Sequence, residues 1–304
     1  MTGKTIGYSD NGMKGKSFAT NPRLARSGLS SLDYAEMTPI AFQGRQLLLA
    51  SARLESRLND SGRLCLWIVD TGSGEIISTF GAGYSLASAI VDGDALNVFA
   101  IPSDAGGARH IDRFHSRDLV RWDRSVALEA LPGEELFNES VCKAGDRFVM
   151  AFEARDKHYP PFTIYFAESR DLVRWKRVPG AVFGTDRYTA CPALRFLRGS
   201  YYMMYLEHLK PRWWFETYIT RSRDLVSWEQ SPRNPVLAPE GVEEINASDP
   251  DLIELPGPRV RLHYLTGNQQ GRFSATWADF DGSMEELFAW YFPGASSSAG
   301  RGEA

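Results

Sequence analysis

Four carboxylates stand where acid–base chemistry can be built: Glu36, Glu139, Glu207 and Asp249. Glu36, Glu139 and Asp249 precede short apolar runs that read as β-strands, and Glu207 ends one, so each is held by strand backbone. Carboxyls of this kind divide the work of acid and base when burial and like charge raise one pKa while a neighbouring cation keeps another low. Polar groups suited to holding a substrate lie close by in the chain: Asn138 before Glu139, Asp251 after Asp249, Arg155 after Glu153, Arg187, and His208 after Glu207. The run 210–215, KPRWWF, adds Trp213 and Trp214, whose flat faces suit a sugar ring or, equally, packing against a neighbouring element or subunit. A strand-end acid taken singly can also be solvated surface charge.

Other chemistries find less support. The five histidines, at 110, 115, 158, 208 and 263, show no HxxxH pair or other metal-ligand spacing, and no ordered calcium loop is present, so neither a metal nor a cofactor is expected. No GxxxxGK[ST] phosphate loop occurs. Cys191 at a strand start, with His208 as its base, is an alternative nucleophile; the ordinary reading is a buried free thiol. The three cysteines, Cys65, Cys142 and Cys191, form no CxxC pair and imply no disulfide framework.

The elements that must position these residues follow from a repeat. SRDLVRW at 116–122 returns as SRDLVRW at 169–175 and as SRDLVSW at 222–228, both intervals being 53 residues. Within each period the sequence is one of strands, such as 146–153 (DRFVMAFE) and 200–207 (SYYMMYLE), each entered from a glycine-containing turn. Four antiparallel strands fit each period, the make-up of a propeller blade. Two degenerate units flank the three clear ones, at 37–77 and 249–292. The expected fold is therefore all-β: a five-bladed β-propeller with four antiparallel strands per blade. The heptamers fall between the third and fourth strands, on the face opposite the start of the first strand. They read as scaffold, with Asp holding the turn and Trp122, Trp175 and Trp228 filling space between blades.

The opposite face reads differently. The positions there are Glu36, then Arg53 and Glu55, in blade one; Tyr84, Ser85 and Ser88 in blade two; and Asn138, Glu139, Glu153 and Arg155 in blade three. Blade four brings residues 186–191, then Glu207 and His208, and blade five brings Asn246, Asp249 and Asp251, then Asn268 and Gln269. The scaffold repeats and the mouth does not, which points to one composite site on the axis.

Composition agrees. The 304 residues are 43% hydrophobic and carry 34 basic against 38 acidic side chains, a net charge of −4, which argues against a nucleic-acid partner. No apolar run is long enough to span a bilayer as a helix, so no membrane partner is expected, and the sequence lacks the apolar region of a signal peptide. A cytoplasmic, reduced protein is the expectation. Three segments are expected: an arm over 1–32, the propeller over 33–293, and a disordered small-residue tail over 294–304. The arm is basic; it wraps the propeller, reaches a second subunit to form a homodimer, or is disordered.

Five blades with Ser-x-Asp-Leu-x-x-Trp turns resemble the five-bladed propeller glycosidase superfamily, which includes glycoside hydrolase families 32, 43, 62, 68, 117 and 130, over about residues 33–292. The resemblance implies a glycosidase acting on a furanoside or related sugar, with a small carbohydrate, such as a short oligosaccharide, as substrate. Family 43 places an Asp-Pro near the start of blade one, an acid at the start of blade three and a general-acid Glu opening blade four. This chain departs at each point: Glu36-Met-Thr-Pro39, Glu139 displaced by one position, and Ala190 where the general acid would stand. Its Asp-Pro, Asp249-Pro250, is in blade five. The resemblance is therefore to a divergent branch. Under it, Glu36 is the expected base or nucleophile, with Glu139 and Asp249 as acid and pKa-setting partner and Glu207 as a reserve acid. Arg155 and Arg187 tune these acids or bind an acidic sugar. A non-catalytic carbohydrate-binding propeller, and a phosphorylase or lyase on the same fold, are the alternatives.

Overall fold

The computed structural model describes residues 21–29, 35–51, 64–103, 108–240, 245–268 and 273–293. Arg53, Glu55 and Gln269, the arm before residue 21 and the tail after residue 293 lie outside the described residues. Among the described residues, twenty strands and one helix follow one another. The first strand, β1 (Leu24–Leu29), stands apart from the four-strand runs that follow it. Blade one is β2 (Ala35–Phe42), β3 (Arg45–Ser51), β4 (Leu66–Asp70) and β5 (Ile76–Phe80); blade two is β6 (Tyr84–Asp92), β7 (Ala95–Pro102), β8 (His110–Ser116) and β9 (Asp123–Glu129). Blade three is β10 (Glu135–Ala144), β11 (Arg147–Arg155), β12 (Thr163–Ser169) and β13 (Lys176–Phe183). Blade four is β14 (Thr189–Leu197), β15 (Ser200–His208), β16 (Phe215–Ser222) and the short β17 (Trp228–Gln230). Blade five is β18 (Asn246–Leu255), β19 (Arg259–Gly267) and β20 (Phe273–Asp281), followed by the helix α1 (Met284–Tyr291).

Within each blade, sequence neighbours pair antiparallel. Blades four and five are linked by one parallel pair, Phe215 with Asn246. The innermost strands β2, β6, β10, β14 and β18 pack each against the next, and β18 returns to β2, which closes the ring. The protein is a five-bladed β-propeller. Blade five obtains its fourth strand from the other end of the chain: β1 pairs antiparallel with β20, Leu24 opposite Phe280. A boundary at residue 33 thus divides blade five from its own outer strand, because nothing periodic in the basic arm marks residues 24–29 as part of a blade.

The heptamers are the turns β8–β9, β12–β13 and β16–β17. Asp118 Oδ1 accepts from the backbone N–H of Val120 and Arg121, and Asp171 and Asp224 do the same in their own turns. The central leucines Leu119, Leu172 and Leu225 are buried and take left-handed φ of 62°, 61° and 66°. For a non-glycine residue that conformation is costly and persists only where the surroundings impose it. Each tryptophan reaches the preceding blade. Trp122 stacks on Phe80 at 3.7 Å, Trp175 meets Phe99 edge-on, and Trp228 stacks on Phe166 at 5.3 Å. Between blades four and five the helix α1 takes this part, with Phe288 stacked on Tyr202 at 4.3 Å. Ser283 caps that helix in a capping box with Glu286. No helix among the described residues is long and apolar enough to cross a membrane.

Candidate active site

Every innermost strand is irregular near its start, where its pairing with the second strand slips. In four blades the residue at the slip takes left-handed φ: Glu36 at 52°, Leu86 at 50°, Cys191 at 50° and Asp249 at 51°. A bulge re-aims the side chain it carries, here towards the axis. Glu36, Cys191 and Asp249 therefore reach one narrow pocket, lined also by Ser88, Asn138, Glu139 and Asp251.

Burial and like charge govern this pocket. Glu139 is almost fully buried; Oε1 accepts from the Ser88 backbone N–H at 3.1 Å, while Oε2 has no hydrogen-bond partner among the described residues. Burial pushes its pKa well up, and Glu36 and Glu153 add to the rise as like charges. Glu153 ends β11 at 1% exposure. Its Oε1 accepts from Asn138 Nδ2 at 2.9 Å and from the Cys191 backbone N–H. Its carboxyl rises to about 8, chiefly through burial, with Asp249 and Glu36 pressing further. Glu36 accepts from the Ser51 hydroxyl at 3.2 Å, and Asp249 accepts from Cys191 Sγ at 3.1 Å and from Ser248. Burial and like charge thus raise the pKa of two carboxyls, Glu139 and Glu153, beside two further acids, Glu36 and Asp249. The pocket is lined from all five blades, with Glu153 bonded to its lining residues Asn138 and Cys191.

The sequence-derived residues divide into two groups. Glu36, Asn138, Glu139, Asp249 and Asp251 share the axial pocket. Asp251 is engaged there with Arg195 of blade four and the Leu252 backbone N–H. Glu207 stands in a separate cluster on blade four: it accepts from Tyr205 Oη at 3.0 Å, lies 3.6 Å from Arg187 Nε, and pairs across the strands with Glu216. Burial raises the pKa of both Glu207 and Glu216. Trp214 belongs to the same cluster through Nε1, which donates to Glu216 Oε1 at 2.9 Å. Arg155 pairs with Glu135 at 2.9 Å and covers the rings of Phe137 and Phe162. His208 stacks on Phe215 and bonds the Arg212 carbonyl, with the half-exposed Trp213 edge-on against it. Cys191, not paired with His208, bonds Asp249. Glu153 is the central residue that selection from the sequence passed over, although it belonged to the strand-end set. A lone Glu inside a long buried run, VMAFEA, was the available signal.

No family model matches the chain, and no curated protein sequence matches it. Solved structures do. An N-acetylgalactosamine deacetylase from F. plautii, in complex with blood group B trisaccharide, aligns at 14% identity and TM-score 0.64 over 88% of this chain and 98% of that one. The catalytic domain of a family 62 α-L-arabinofuranosidase from Coprinopsis cinerea aligns at 10% identity and TM-score 0.62, over 84% and 96%. A xylan β-1,4-xylosidase from Bacillus halodurans aligns at 15% identity and TM-score 0.58, over 86% and 53%. The chain shares the propeller fold of these proteins.

Proposed function

We propose that this protein is a glycoside hydrolase whose reaction takes place in the axial pocket, on a furanoside or related sugar of a short oligosaccharide. The observation that carries the reading is the convergence of Glu36, Glu139 and Asp249 on the pocket, with Glu153 bonded to its lining residues Asn138 and Cys191 and burial raising the pKa of both Glu139 and Glu153. Glycoside cleavage needs one carboxyl that gives a proton to the departing oxygen and one that serves as base or nucleophile. Glu139, its pKa raised by burial and its Oε2 unengaged, is the proton donor. Glu36, brought to the same pocket from blade one by its bulge, is the base or nucleophile, and Asp249 is the companion charge that helps raise the Glu153 pKa. Glu153 fixes Asn138 and the Cys191 backbone, so it positions the pocket. The structural neighbours bear names that concern carbohydrates, which supports the substrate class.

A binding-only propeller is the second reading, favoured by one observation: blade four offers Ala190 and Cys191 at the axis in place of an acid. Hydrolysis of a panel of nitrophenyl furanosides and pyranosides, with Glu139→Gln and Glu36→Gln, separates the two. Turnover that collapses in both variants supports the hydrolase. Sugar binding by calorimetry without turnover on any member favours the binding reading.

A further inference from the structure

Four of the five seams between blades are closed on the face away from the mouth by an aromatic wedge: Trp122, Trp175, Trp228 and Phe288. Among the described residues, the seam between blades five and one has no such wedge. By register, Asp123 opens β9 opposite His115, as Ile76 pairs with Val69, so the place of Trp122 falls to Glu75, an exposed residue in a glycine-containing turn. The mouth half of this seam is packed by Met37, Trp67 and Leu265. Its other half is a cleft of about 560 Å³ walled by Pro39, Val69, Ile253, Leu255 and Trp277. That volume is in the range of small-molecule sites. Among the described residues, no acidic side chain lines the cleft. Arg261 lies over the Trp277 ring at 5.1 Å and is bound through two nitrogens to Asp279. Arg259 is exposed and has no carboxylate partner among the described residues. Burial drives the His263 pKa down to about 4, so at neutral pH the imidazole adds no charge and Arg259 sets the sign of the rim.

We propose that this cleft is a second binding site, for a small aromatic anion whose ring enters where the other seams carry an aromatic side chain and whose acid group meets Arg259. The ring exchanges water for apolar walls, and the guanidinium supplies a charge-assisted contact. The site is independent of the axial chemistry.

The test titrates the full-length protein with indole-3-acetate by calorimetry and with 8-anilinonaphthalene-1-sulfonate by fluorescence. Saturable binding of one equivalent is expected. Arg259→Glu, a surface change, should weaken it at least ten-fold, and Glu75→Trp, which restores the wedge, should abolish it, both variants keeping the parent melting temperature or better. Neutral 3-methylindole should bind at least ten-fold more weakly than indole-3-acetate. Absence of binding at millimolar ligand, equal affinity for the neutral ring, or affinity unchanged in Arg259→Glu would overturn the proposal. Should Glu75→Trp fail to fold, the Arg259→Glu and neutral-ligand results decide alone.

Discussion

The two faces of the propeller are made from the same strands and obey opposite rules. On the face away from the mouth, three turns repeat the same Ser, Asp, Leu and Trp, and their contacts repeat with them. At the mouth the backbone repeats, with a slipped pairing in every blade, while the side chains at the slips run Glu36, Leu86, Cys191 and Asp249. Repetition of side chains serves a seam that recurs around the ring; an axis occurs once, so each blade is free to contribute something different. A propeller thus separates stability from chemistry by face.

The sharpest way to break that comparison is to alter each face and measure both properties. Glu139→Gln should lower turnover by about 1000-fold, more for alkyl than for nitrophenyl leaving groups, because only the poorer leaving group needs the proton. Its melting temperature should not fall. Trp228→Ala should do the reverse, costing about 3 kcal/mol in denaturant unfolding with turnover of the folded fraction retained. Glu153→Gln tests the buried pair. A carboxyl raised in the folded state binds more protons folded than unfolded between its ordinary pKa and about 8, so its contribution to stability is lost as pH rises through that window. The amide removes that loss: of order 4 kcal/mol of stabilisation at pH 8, vanishing near pH 4. A variant that tracks the parent at all pH values would show Glu153 to be ionised. The smallest effect should come from Glu207→Gln, below about three-fold in turnover, since Glu207 bonds Tyr205 and Arg187 away from the axial pocket. A large loss there would move the chemistry to blade four.

What the sequence made legible follows the same division. The heptamers announced blade count and seam packing because turn chemistry and an indole are local demands, written in consecutive residues. Glu36, Glu139 and Asp249 were legible once blades were assigned, since the start of a first strand has one place in a propeller. Glu153 was not, because its role comes from what surrounds it: the Cys191 backbone N–H and Asn138 approach from elements far apart in sequence. Glu207 shows the converse, a strand-end acid next to a histidine whose neighbours, Tyr205 and Glu216, are on its own blade. The strand β1 was illegible for a related reason. Its partner lies at the far end of the chain, and a single outer strand carries no period.

That pairing of Leu24 with Phe280 has a consequence for how the molecule comes into being. During synthesis, residues 24–29 emerge before all the strands of blades one to four, and their partner strand after them. Until then β1 has no partner, and its backbone is an open edge of the kind that recruits other chains. Blades one to four have all their strands in local order and can mature as they appear. Ring closure is therefore the late event, closing a long loop, and the unpaired β1 is where a stalled or interrupted chain would be captured by a neighbour.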